Sequence, residues 1–278
     1  MRELKDKVIV VTGAGSGIGR ALVLQAAERG MRVVLADIDA ERLAQVTEEV
    51  HERGVEASGF DVDVASALSV EQLAERAYAR FGAVHVLINN AGIAVSGAAW
   101  SMALETWEHV LRINLHGVIH GVHSFLPRML QGGEPGHVVN VASAAGLFTV
   151  PGFAAYSASK YGVVGLIEAL YHDLRVRNAP IGASVACPSW VQTRIARDSL
   201  APTEGIDDVD INVTMAVSQA VENGISAESV ATRVFEAIEQ DRFYILTHDG
   251  TKRAVESRTA DIVQDRPPTK TVFEAKKK

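Results

Sequence analysis

Along most of this chain, short runs rich in Val and Ile alternate with longer stretches of helical periodicity, and few folds can accept that alternation. Apolar runs occupy 8–12, 32–36, 55–60, 84–89, 137–142, 181–186 and 243–246. Between them, 17–29, 40–52, 66–80, 104–130, 156–177 and 227–240 place apolar residues at helical spacing. A strand that is apolar at consecutive positions is buried on both faces, and this belongs to parallel sheets covered by helices. Right-handed crossovers then lead to a doubly wound, Rossmann-like α/β sheet of about seven strands with helices on both faces. The expected organisation is a single domain over 1–250. A lid at 189–226 interrupts the alternation, since a connection that long is usually functional or disordered. A C-terminal extension at 251–278 is expected to be helical to about Val263 and then frayed, ending in a Lys run.

Charge narrows the function. Lys and Arg total 27 against 34 Asp and Glu, for a net charge of −7. An acidic chain is not drawn to phosphate backbones or anionic lipid, so nucleic acid and membrane are not expected as partners. Cys187 is the one cysteine, so no internal disulfide can form. The first apolar run is too short for a secretory leader, and mean hydropathy is only +0.10. The expectation is a cytoplasmic protein.

Residues 12–19 read TGAGSGIG between the first strand and the first helix. Gly13, Gly17 and Gly19 let the backbone turn sharply and approach a pyrophosphate, with Ser16 and Ile18 between them. The free N–H groups opening the next helix favour that anion. Asp37 ends the second strand, where a carboxylate accepts ribose hydroxyls of NAD. It would meet a 2′-phosphate as a like charge, and its neighbours Ser16 and Ile38 supply no cation. Asp37 could equally be a helix-capping acid, a role Asp39 would also fill.

Tyr156 and Lys160 are four apart on a predicted helix and share a face. An ammonium beside a phenol favours the phenolate, tuning it to exchange a proton with an alcohol or ketone oxygen. Ser143 ends the fifth strand, at the sheet edge where ligands bind. His116, His120 and His123 line one helical face but lack a nearby acid or Cys. They are read as a polar or subunit-facing stripe, and no metal is expected. Cys187 is read as a small buried residue, and Trp100 and Trp107 as packing.

These motifs together resemble the single-domain branch of the short-chain dehydrogenase/reductase family. Thr12–Gly19, Asn89-Asn90-Ala91-Gly92, Asn114, Ser143, Tyr156 with Lys160, and Pro188 through Thr193 stand in the family's order. The resemblance implies NAD as cofactor and Tyr156 as the acid/base at the substrate oxygen. Ser143 would orient that oxygen. Lys160 would lower the Tyr156 pKa and hold the nicotinamide ribose, and Asn114 would hold a water leading to solvent. It implies Asp61 and Val62 at the adenine, and Asn90, Ala91 and Gly92 beside the cofactor. Pro188, Val191 and Thr193 would lie near the nicotinamide. It also implies a homotetramer, with a dimer as fallback. Two features depart from the pattern. Ser189 replaces a family Gly, and the chain continues beyond the usual end near residue 250, which implies an altered subunit contact. The implied activity is hydride transfer between NAD(H) and a secondary alcohol or ketone. The alternatives are an NADPH-dependent ketoreductase of acyl-carrier type or a non-catalytic nucleotide sensor. Leu147, Phe148, Val150 and Phe153, with Trp190, Ile195, Leu200, Ile206, Ile211, Val213 and Met215, suggest a bulky apolar substrate. Arg194 and Arg197 are expected to face solvent; an inward turn of either would favour an acidic substrate.

Overall fold

A computed structural model describes residues 1, 3–195 and 219–269. Its strands are β1 (Val8–Thr12), β2 (Arg32–Asp37), β3 (Ala57–Asp61), β4 (Val86–Asn89), β5 (Gly136–Val141), β6 (Ile181–Cys187) and β7 (Tyr244–Leu246). The helices are α1 (Gly17–Glu28), α2 (Ala40–His51), α3 (Ala67–Phe81), α4 (Leu104–Leu111), α5 (Gly117–Gly132), α6 (Ala154–Val176), α7 (Ala227–Gln240) and α8 (Asp249–Val263).

The strands form one parallel sheet in the order β3-β2-β1-β4-β5-β6-β7. Alternation within β1 shows how the two faces are covered. Ile9 and Val11 point to one side, with Leu22, Phe235 and Ile238 of α1 and α7. Val8 and Val10 point to the other, with Leu73, Phe125 and Ile167 of α3, α5 and α6. Fully burying a side chain such as Phe125 or Phe235 contributes about 1.5–3 kcal/mol, so these two layers hold the sheet. Helix starts follow capping chemistry: Asp39, Ser66 and Ser226 accept the backbone N–H of Arg42, Ser69 and Ser229. The chain turns from β1 toward β2 and β3, then crosses to β4 on the other side. β1 and β4 are paired neighbours at this switch in strand order, and the crevice outside their carboxyl ends is the place where ligands bind in such sheets.

The predicted helical stretch over 104–130 is helical throughout, with one local change of winding. Between α4 and α5 lies a π turn, Arg112–His116. Asn114, inside it, is pulled toward the loop after β4: its Oδ1 accepts Ile93 N–H at 2.8 Å, and its Nδ2 donates to Ile93 O at 2.9 Å. Hydrophobic spacing continues through the turn, so periodicity carries no trace of it. Beyond β7, α8 sets Arg258 over the ring of Tyr161, 5.2 Å from its centroid. Asp261 then accepts the N–H of Thr269 at 2.8 Å, tying the chain back on α8. Most of the predicted lid, 196–218, and the predicted frayed end, 270–278, lie outside the described residues.

Candidate active site

The loops after β1 and β4 are laced together. Thr12 Oγ1 accepts the N–H groups of Asn90 and Ala91 at 3.0 and 3.2 Å. Asn90 Nδ2 returns hydrogen bonds to the carbonyls of Thr12 and Gly13 at 2.9 and 3.2 Å. Two glycines make this approach sterically possible. Gly13 has φ +65°, and a Cβ there would lie 2.8 Å from Ala91 Cα. A Cβ on Gly19 would overlap the Gly13 carbonyl oxygen. The helix that follows starts without a side-chain cap and without an acid in its first turn, so its N–H groups are suited to an anion.

A cavity of about 530 Å³ opens here. Gly13, Ser16, Gly17, Ile18, Asp37, Val62, Asn90, Ala91, Gly92, Ser143, Tyr156, Lys160, Pro188, Val191 and Thr193 all line it, as does Ser189. Three predicted residues stand outside the lining. Gly19 packs behind the loop, Asn114 is buried in its π turn, and Asp61 is exposed beyond Val62. Asp37 is held by backbone donors: Gly15 N–H reaches Oδ2 at 2.7 Å, and Asp39 N–H reaches Oδ1 at 3.0 Å.

Around the chemistry, Ser143, predicted to end the fifth strand, stands two residues beyond the observed end of β5 at Val141 and caps a short turn, its Oγ accepting Ala145 N–H at 3.1 Å. Its hydroxyl donates to Pro188 O at 3.4 Å, beside the Tyr156 phenol. Burial pushes the Tyr156 pKa above the usual tyrosine value, and the Ser143 contact offsets part of that rise. Lys160 is 3% exposed, donates to Val141 O at 3.1 Å, and is lowered by burial to about 8. The expectation that Lys160 pulls the Tyr156 pKa down thus meets an opposing force: desolvation acts on both groups toward their neutral forms. Gly92 makes room for the cluster, since a Cβ there would lie 3.1 Å from Asn114 Oδ1 and 3.3 Å from Lys160 Nζ. Asn114 Nδ2 also donates to Ser159 Oγ at 3.1 Å, which commits its side chain to positioning. Cys187 is buried beside these groups with its thiol pushed up to about 12, so it is uncharged.

The far side of the cavity is apolar. Phe148, Val150, Phe153, Trp190 and Ile195 line it as predicted, and Arg194 is exposed at its edge. Leu147 packs instead into the core. Leu200, Ile206, Ile211, Val213, Met215 and Arg197 lie outside the described residues. Ile93, Ala94 and Val221 were missed by sequence reasoning and also line the cavity. Val221 is there through its packing in a small cluster with Phe153, Val150 and Trp190. The expectation of no cation near Asp37 needs correction. Arg20 pairs with Glu49, and Arg32 donates to Asp6 O at 3.0 Å, but Arg42 of α2 lines the cavity. In the histidine stripe, His120 meets Val64 O at 2.9 Å and His116 lies edge-on to it.

A profile of the short chain dehydrogenase family matches residues 7–204. The CLA biosynthesis dehydrogenase/reductase of Lactiplantibacillus plantarum is 35% identical over 96% of this chain and 97% of its own length. The 1-deoxy-11-beta-hydroxypentalenate dehydrogenase of Streptomyces avermitilis is 34% identical over 88% of this chain and 86% of its own. Among solved structures, a short chain dehydrogenase/reductase from Burkholderia phymatum in complex with NAD is 41% identical, with a TM-score of 0.93. That likeness covers 98% of this chain and 99% of that one.

Proposed function

This chain belongs to the short chain dehydrogenase family, and from that premise we propose that it transfers a hydride between NAD(H) and a secondary alcohol or ketone with a bulky apolar frame. One observation carries the proposal: a glycine-built anion cradle and the Ser143–Tyr156–Lys160 cluster face one cavity. The cradle fits a dinucleotide, because Gly13 and Gly17 line the cavity and the α1 N-terminus beside them has neither a side-chain cap nor an acid in its first turn. The residues that would hold NAD are the Gly13–Gly19 loop, Asp37, Val62, Asn90 to Gly92, Lys160, and Pro188, Val191 and Thr193. The bound nicotinamide supplies hydride in reduction and accepts it in oxidation.

This chain's own residues handle the oxygen and the proton. Ser143 donates to the substrate oxygen and orients it. In reduction the Tyr156 phenol gives its proton to that oxygen; in oxidation the phenolate takes the proton back. Burial keeps the phenol protonated at neutral pH, which suits the acid role. Lys160 stabilises the phenolate when charged, and Asn114 fixes the loop that carries Ile93.

The apolar far wall supports the bulky substrate, at about 0.8 kcal/mol for each buried CH₂. The relative named for a hydroxypentalenate supports an alcohol. The experiment is a kcat/KM series from short hydroxy acids through aliphatic to cyclic and aryl ketones, with both nicotinamide cofactors. A steady rise with apolar size is expected. A maximum at short hydroxy acids that is lost in Arg194→Ala would overturn the apolar reading.

A further inference from the structure

Ser189 stands where the family pattern has Gly, and the reaction proposed above leaves its hydroxyl without a task. Its backbone lies outside the left-handed region, so the conformation neither demands a glycine nor strains the serine. The residue lines the cavity and is half-buried, and no hydrogen bond engages its hydroxyl among the described residues. Its two neighbours set its place. On one side, Pro188 O accepts Ala144 N–H at 2.8 Å and the Ser143 hydroxyl at 3.4 Å, which pins the chain beside the group that orients the substrate oxygen. On the other side, Trp190 packs against Phe153 and Val221 in the apolar wall. Ile225 N–H donates to Trp190 O at 3.1 Å, and a Cβ on Gly224 would lie 2.5 Å from the same oxygen, so this stretch has little room to shift. Ser189 thus occupies the seam between the oxygen-binding pair and the apolar wall. One residue of chain covers about 3.3–3.6 Å, which puts its hydroxyl in reach of a group close to the reacting carbon.

We propose that Ser189 is a specificity-determining residue that hydrogen-bonds a second oxygen of the substrate, a carbonyl or hydroxyl one or two carbons from the reacting carbon. The proposal rests on reading this cavity as a site of hydride transfer to a ketone. It narrows the substrate class to hydroxyketones, diketones and the matching diols, carried on an apolar frame. A hydroxyl donates to a carbonyl and accepts from an alcohol, so one side chain serves both directions of the reaction. A plain ketone of the same size would cover the Ser189 hydroxyl and leave it unpaired, so the site both favours the second oxygen and rejects the analogue that lacks it. Were the serine only a bulkier stand-in for glycine, it would narrow the cavity and select on size alone.

The test measures kcat/KM for cyclohexanone and tetralone, each plain and each carrying a hydroxyl or, as a size match, a methyl on the second or third ring carbon. The proteins are the unmodified chain, Ser189→Ala, Ser189→Gly and Ser189→Thr, and NADH binding to each is titrated separately by fluorescence. The unmodified chain is expected to prefer a hydroxyketone to its methyl match. Ser189→Ala and Ser189→Gly should lower kcat/KM for that hydroxyketone by on the order of tenfold, the scale of one hydrogen bond, and leave the methyl ketone unimpaired. Ser189→Thr, which keeps the hydroxyl, should keep the preference. NADH affinity should be the same in all four. Equal effects of Ser189→Ala on hydroxy and methyl ketones overturn the proposal, and so does a change confined to NADH affinity, which would place the hydroxyl on the nicotinamide. If the unmodified chain reduces no ketone with either cofactor, the hydride-transfer reading fails and this proposal with it. If plain ketones are reduced and only the hydroxyl preference is missing, this proposal falls alone.

Discussion

Lys160 holds its ammonium 5.7 Å from the centre of the Tyr156 ring, one helical turn further along α6. Burial brings the Lys160 pKa down to about 8 and raises that of Tyr156. The two shifts act on pH dependence with opposite demands. Reduction needs the phenol protonated, and burial maintains that form through neutral pH. Oxidation needs the phenolate, which forms as pH rises, while the lysine charge that favours it is lost as pH passes about 8. Reduction should therefore hold its rate to about pH 8, and oxidation should have the more alkaline optimum. Profiles of kcat/KM in both directions check this, and an oxidation optimum on the acid side of the reduction optimum would contradict it.

Tyr156→Phe should lower kcat by roughly 10²–10⁴-fold, the usual range for one acid/base group. The ring still packs edge-on against Phe153, so the fold and NAD binding should survive. Parallel turnover and cofactor-titration measurements check both halves. A Phe variant with the parent's rate would remove Tyr156 from its proposed role.

Acid should destabilise the fold through His137. This ring is fully buried, with Nε2 2.7 Å from Ser184 Oγ, and Ser184 spends its own proton on Arg242 O at 2.6 Å. Nε2 therefore carries the imidazole proton, and Nδ1 is left without a hydrogen-bond partner, 4.0 Å from Asp241 Oδ1. Burial lowers the His137 pKa from 6.5 to about 4. As pH falls below 6.5, the unfolded chain takes up a proton that the native state refuses. Stability is intact above that point and declines toward pH 4, by on the order of 3 kcal/mol. His85, also lowered by burial and accepting Val8 N–H at 3.0 Å, acts in the same direction. Urea unfolding across this range should show the decline, and His137→Gln should flatten it.

In solution the chain is expected to be a homotetramer, with a dimer as the smaller closed assembly. Leu104, Ile119 and Val176 expose apolar side chains on α4, α5 and α6, the helices that pair across a two-fold axis in the family this chain resembles. Closed symmetric association would cover them. Light scattering at micromolar concentration decides it, and a monomeric mass would refute both assemblies.

By itself, the sequence determined whatever depends on neighbours along the chain. Consecutive apolar residues in β1 and β5 demand burial on both faces, so the parallel sheet was legible. Gly13 and Gly17 need backbone conformations that β-carbons resist, so the phosphate loop was legible as well. The four-residue spacing of Tyr156 and Lys160 put them on one face of α6. Tertiary structure decided what depends on side chains meeting across long separations. Asn114 sits in a π turn with its amide on the N–H and C=O of Ile93, a pairing across 21 residues. Val221 reaches the cavity by packing with Phe153, Val150 and Trp190, residues far from it in the sequence. The direction of Arg42 follows from Asp39 and the Gly15 loop, whereas its place in the sequence marks it as one more surface residue of an amphipathic helix. Periodicity reports how much of a residue is buried; which atoms it faces is set by packing, and packing exists only once distant segments have come together.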